Sequence, residues 1–251
     1  MSRELEKRKE ESLTSQKLEE GLFRLKRGFQ CSLVAAILLV ASMIFHFFGF
    51  RHPFFWLVSF WVLIFCAGFY VLSIYVRFRG WMSLNQHRIS ISMILGGLIV
   101  LLSPFTYYTI ERVFLPWQWL PWEWQPYLSF ILLQLIGPLA WVIYVIFESY
   151  GFRALKRSYN INLSNSMILN LLGVFASMLG VSAIFLFEFY QYFYFEFYHF
   201  YILSSFLFSY PFLVASFFSC PFIITSRIFS IVEMNKAINE KKELLLMHQK
   251  G

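Results

Sequence analysis

The sequence predicts an all-α protein, a polytopic transmembrane helical bundle of about six spanning helices with both termini on the cytoplasmic side. Three observations predict it. Of 251 residues, 59% are hydrophobic and only 14% are charged, well under the roughly 25% of soluble domains, so polar groups are too few to cover a water-facing surface. Apolar runs long enough to cross a bilayer recur along the chain. Lys and Arg fall almost entirely on one side of those runs.

A helix rises about 1.5 Å per residue, so a hydrocarbon core ~30 Å thick takes about 20 apolar residues. Residues 29–50, 53–76, 89–110, 127–147, 167–187 and 200–224 meet that length. Each run far exceeds the roughly 10 residues of a barrel strand, and none alternates as a strand would. The domain plan is therefore a charged amphipathic helix over 1–28, a transmembrane domain over 29–226 and a helical tail over 227–251, both tails cytoplasmic. The first apolar run is longer than the h-region of about 7–15 residues of a cleaved signal, so it is expected to be retained as a span.

Orientation follows from the basic residues. The two tails and the 77–88 and 148–166 loops together hold 19 Lys and Arg, whereas the three other loops hold two, Arg51 and Arg112. Positive charge is retained on the cytoplasmic side, so this imbalance supports span number and orientation together. The net charge of +7 thus reads as a topology signal and as contact to anionic lipid, not as a nucleic-acid footprint. The expected location is the cell membrane.

The tails carry helical signals. Glu4/Arg8 and Glu20/Arg24 stand four residues apart, a spacing that joins them on one helix face. Leu5, Leu13, Leu18, Leu22 and Leu25 form a broken apolar stripe, which fits a helix lying on the membrane or against the bundle. Ile231, Met234, Ile238 and Leu245 make an apolar face on the C-terminal tail. The two tails are suited to pair with each other or with a partner.

Two aromatic stretches dominate the expected outer face. Trp117, Trp119, Trp122 and Trp124 crowd one loop, and eleven of the fifteen residues 187–201, including Tyr192 and Tyr194, are Phe or Tyr. Trp and Tyr favour the headgroup region, so an interfacial girdle is one reading. An outward platform for an apolar or aromatic ligand, such as a lipid or quinone, is the other.

Chemistry inside the membrane was sought among ionisable groups, because their cost there ties them to function. There is no Asp, and the hydropathy bounds leave no Lys, Arg or Glu near the middle of a span. Glu148, Glu188 and Arg227 fall at span ends, where water or headgroups are expected to reach them. That distribution argues against an ion-coupled pump. No zincin, nucleophile-elbow or paired-Asp pattern occurs, and His46 and His199 sit too shallow for a haem. Cys31, Cys66 and Cys220 lie in or beside separate apolar stretches without a Cys-x-x-Cys. Neither catalytic apparatus nor cofactor nor metal is expected.

Backbone irregularity offers a solute path as one candidate. Pro104, Pro138, Pro211 and Pro221 fall in the third, fourth and sixth spans, where proline removes a backbone donor and kinks a helix. Gln134 is the amide nearest such a break. Broken helices surround central sites in carriers, although kinks also simply shape bundles. In the fifth span, Gly173, Ala176, Ser177 and Gly180 form two small-x-x-x-small pairs that let backbones approach, against a bundle neighbour or a second copy of the chain. Residues 21–28 and 151–158 match at Gly21/Gly151, Arg-rich positions and Leu25/Leu155. Internal duplication and topology pressure both account for the match.

Glu20-Gly21-Leu22-x-x-Leu25-Lys26-x-Gly28 before the first span, Phe147-Glu148-x-x-Gly151-Phe152-x-x-Leu155 after the fourth, and Leu172-Gly173 with Leu179-Gly180 in the fifth resemble an archaeal family of multi-pass membrane proteins of unknown function. The resemblance implies a multi-pass fold and no activity, cofactor or catalytic residue. The leading functional expectation is a non-catalytic accessory or interaction protein, whose partners are the lipid bilayer and a membrane protein or a second copy. The alternatives are a passive or facilitated carrier of a small or lipid-like solute and a membrane enzyme subunit with a borrowed cofactor.

Overall fold

The structure, a computed structural model, describes residues 2–49, 52–109, 125–194 and 211–250. Among them it is all-helical, with six helices and no strands. They are α1 (Ser2–Gly49), α2 (Pro53–Ser83), α3 (His87–Thr109), α4 (Gln125–Tyr159), α5 (Ser164–Tyr194) and α6 (Pro211–Lys250). Two of them contain stretches long and apolar enough to cross a membrane, Gln16–His46 in α1 and Phe54–Ser83 in α2. The apolar stretches His87–Leu102 and Ser164–Gly180 are shorter.

Each helix packs on its sequence neighbours, and α6 returns to α1, so the six close into a ring; α4 also reaches α6 across it. Hydrogen bonds between neighbouring helices reinforce this packing. Two reciprocal serine pairs supply such bonds. Ser59 donates to the Ser42 carbonyl at 2.9 Å and Ser42 stands 3.1 Å from the Ser59 carbonyl, joining α1 to α2. Ser226 and Ser166 exchange bonds in the same way at 2.9 and 3.1 Å, joining α5 to α6.

The ends of α2 and α4 turn on asparagine. Asn85 and Asn160 both hold φ 57°, the left-handed conformation that Asn tolerates better than other residues with a Cβ. At the first turn, the N–H of Asn85 bonds the Met82 carbonyl and that of Gln86 bonds the Trp81 carbonyl, a Schellman arrangement. At the second, the N–H of Asn160 bonds the Lys156 carbonyl. Tyr159 ties the two turns together by donating to the Leu84 carbonyl at 3.2 Å. Partial burial pushes its hydroxyl pKa up, so it stays a donor through neutral pH.

The main core lies at this end of the ring. Leu22, Leu25 and Phe29 of α1, Trp81 of α2 and its C-cap Leu84, Phe152 and Leu155 of α4, and Met234 and Ile238 of α6 are buried together, with Ile161 and Leu163 from the α4–α5 turn. α1 runs unbroken from Ser2, and Leu22 and Leu25 of the N-terminal stripe lie in this core, against the bundle. The tails do meet, through α1 and α6. The matched segments 21–28 and 151–158 flank the same partner, since a Cβ on Gly21 would stand 2.7 Å from Leu84 and one on Gly151 would stand 2.8 Å from Trp81.

Candidate functional site: a buried Arg–Glu–Arg cluster

One turn above that core, α2, α4, α5 and α6 each send a polar side chain into the ring. Arg77, Glu148 and Arg227 are 0–1% exposed, and Asn170 is 3% exposed. Glu148 is the hub. Its Oε1 lies 2.6 Å from Nη1 of Arg77 and 2.6 Å from Nη1 of Arg227. Its Oε2 accepts from Nη2 of Arg227 at 2.8 Å and from Nδ2 of Asn170 at 2.5 Å. Tyr144, one turn back on α4, adds a 3.3 Å bond to Oε1. Arg227 therefore grips the carboxylate with two parallel bonds, the strongest geometry available to such a pair.

The surrounding residues aim the arginines. Arg77 folds back along its own helix, and its Nε donates to the Ser73 carbonyl at 3.3 Å. Ser73 in turn donates to the Gly28 carbonyl of α1 at 2.8 Å. Gly28 is required there because a Cβ would collide with the Arg77 side chain. Phe29 presents its ring to both cations, 5.7 Å from the Arg77 guanidinium and 5.6 Å from that of Arg227, within the range of cation–π attraction. Phe29 also packs on Phe152, with ring centroids 6.0 Å apart.

The expectation that Glu148 and Arg227 meet water or headgroups is overturned. Both face inward, and the argument against ion-coupled mechanisms from an uncharged interior loses its premise. Arg77, Glu148 and Arg227 follow the ends of the apolar runs at 76, 147 and 224, so hydropathy alone assigns them to loops. A finer signal was present. Arg77 is followed at four and seven residues by Trp81 and Leu84, Glu148 by Phe152 and Leu155, and Arg227 by Ile231 and Met234. Each charge thus lies on a helix face that continues apolar.

Chemically the cluster can bind helices together but leaves no free base. Both oxygens of Glu148 are taken, and it is the only buried acid among the described residues. Among those residues no group of His, Cys, Asp or Glu is arranged to hold a metal ion. Losing one partner of a buried pair typically costs about 3–5 kcal/mol, because the other is stranded in low dielectric.

The other candidate residues fall elsewhere. Gly173, Ser177 and Gly180 are buried and Ala176 is half-buried. A Cβ on Gly173 would stand 3.2 Å from Phe222 and one on Gly180 would enter the Phe218 ring, so the stripe faces α6. Ser177 Oγ has no hydrogen-bond partner among the described residues. Pro104 lies in α3, and Gln134 and Pro138 in α4, both helices continuing past the prolines. Pro211 is the first described residue of α6. Pro221 lies inside α6. Tyr192 and Tyr194 lie in α5, whereas Trp117, Trp119, Trp122 and Trp124 lie outside the described residues.

No protein-family model matches the chain, and neither a curated protein nor a solved structure is detectably similar to it. In this fold Gly21, Leu22, Leu25 and Gly28 on α1, and Gly151, Phe152 and Leu155 on α4, pack beside the cluster.

Proposed function

We propose that the chain is a six-span integral membrane protein with both termini cytoplasmic, acting as a non-catalytic accessory or interaction protein of the cell membrane. The observation that carries the membrane reading is the surface of α2. Its apolar stretch is only 11% buried within the molecule, with Phe54, Trp56, Leu57, Phe60, Trp61 and Phe65 exposed. A soluble core helix of that hydropathy is mostly buried; an outward apolar face of this length calls for lipid or a membrane partner. The non-catalytic reading is supported by Glu148, whose lone pairs are spent on Arg77, Arg227 and Asn170.

A carrier is the second reading, and one observation favours it. Charges from α2, α4 and α6 meet directly above the apolar core, so one end of the ring is closed by a polar latch and a dry plug. Alternating access needs such a closure on each side in turn.

Reporter fusions at both termini and in the 111–124 loop test the topology; cytoplasmic termini and an external loop are expected, and an external C-terminus overturns it. Purification of the tagged full chain in mild detergent, with mass spectrometry of what stays bound, separates the two roles. A stoichiometric membrane-protein partner supports the first, and a retained small solute supports the second.

A further inference from the structure

Buried charge in this cluster does not balance. Two guanidiniums face one carboxylate, and no other acid is buried among the described residues, so one positive charge is left over in the interior. The leftover charge has donors to match. Because both arginines converge on Oε1 of Glu148, Nη2 of Arg77 and Nε of Arg227 point elsewhere, and both are buried without a hydrogen-bond partner among the described residues. The hydroxyl of Tyr70 is a third such group. It stands on the face of α2 that carries Ser73 and Arg77. Asn170 Oδ1 is also without a partner but is an acceptor, and repels rather than attracts an anion.

We infer that the Arg77–Glu148–Arg227 cluster binds one small monovalent inorganic anion of the chloride class, held by Nη2 of Arg77, Nε of Arg227 and the Tyr70 hydroxyl. Water would satisfy these donors but leave the charge, and low dielectric makes that residual charge the larger cost. The ion is small because the arginines are 0–1% exposed and the apolar core closes one end of the cluster, which excludes a lipid phosphate with its chains. This holds whichever role the protein plays.

The test uses the full chain in detergent at fixed ionic strength and pH. Replacing gluconate by chloride, bromide or nitrate is expected to raise the thermal midpoint saturably by a few degrees, since a ligand of the native state alone stabilises it by mass action. Arg77→Gln removes the excess charge while leaving the two-fold Glu148–Arg227 grip, and is expected to unfold alike in chloride and gluconate. Equilibrium dialysis of wild type against radiolabelled chloride is expected to find one ion per chain. The same midpoint in all four salts, an undiminished chloride response in Arg77→Gln, or no bound chloride in dialysis overturns the assignment. Should Arg77→Gln fail to fold, the dialysis result alone decides.

Discussion

Glu148 accepts hydrogen bonds from two guanidiniums, an amide and a phenol, so its loss strands more buried charge than any other single change in the ring. Glu148→Gln is expected to cost roughly 3–5 kcal/mol, because two unpaired arginines then sit in the interior. Arg77→Gln should cost less, since a neutral Glu148–Arg227 pair survives it. The triple replacement Arg77→Met, Glu148→Leu, Arg227→Met should recover most of the stability, as apolar residues of similar volume often replace buried ions without loss. Thermal unfolding in detergent checks the order of the three. A triple variant as unstable as Glu148→Gln would mean that the contacts of the arginines with Phe29 and of Glu148 with Asn170, not charge balance, dominate.

Among the helices, α5 and α6 form a seam built from small residues and serines. Gly173 and Gly180 press on Phe222 and Phe218, and Ser166 and Ser226 exchange hydrogen bonds. Gly180→Leu must push the Phe218 ring aside, an overpacking that costs about 1–3 kcal/mol. The midpoint should fall while the molecular mass in detergent stays constant, measured by light scattering on a sizing column. A change in mass with unchanged stability would place the stripe between copies of the chain instead. The first helix offers a contrast within one turn. Leu25 is fully buried and Phe23 is 40% exposed, so Leu25→Asp should abolish a monodisperse preparation whereas Phe23→Asp should leave it intact.

At the level of the whole molecule, the ring is tied by contacts distant in sequence. Arg77 and Glu148 are 71 residues apart, Glu148 and Arg227 are 79, and Ser166 and Ser226 are 60. Helix order is local and simple, while the polar cluster forms only once α2, α4, α5 and α6 are all in place. A cooperative loss of the bundle when any one of them is weakened is the consequence, and one set of residues, the cluster with the core beneath it, governs the end where both tails emerge.

Helical class was legible in composition and in runs of about 20 apolar residues, because the length of a span follows from a bilayer's thickness and needs no partner. The onsets of α2, α3 and α5 fall within a few residues of the apolar runs at 53, 89 and 167, and the helices extend beyond those runs where amphipathic faces continue. Arg77, Glu148 and Arg227 were visible only as charges near span ends. A hydropathy window averages over all faces of a helix, so a charge turned to water and one turned to a neighbour score alike. Which way each points is an azimuth set by packing against residues far along the chain, through Gly28 under Arg77, Phe29 between the two arginines and Asn170 across from Glu148. The sequence by itself determined the helical class of the described residues; only the tertiary structure decided that three of the charges face one another between the helices.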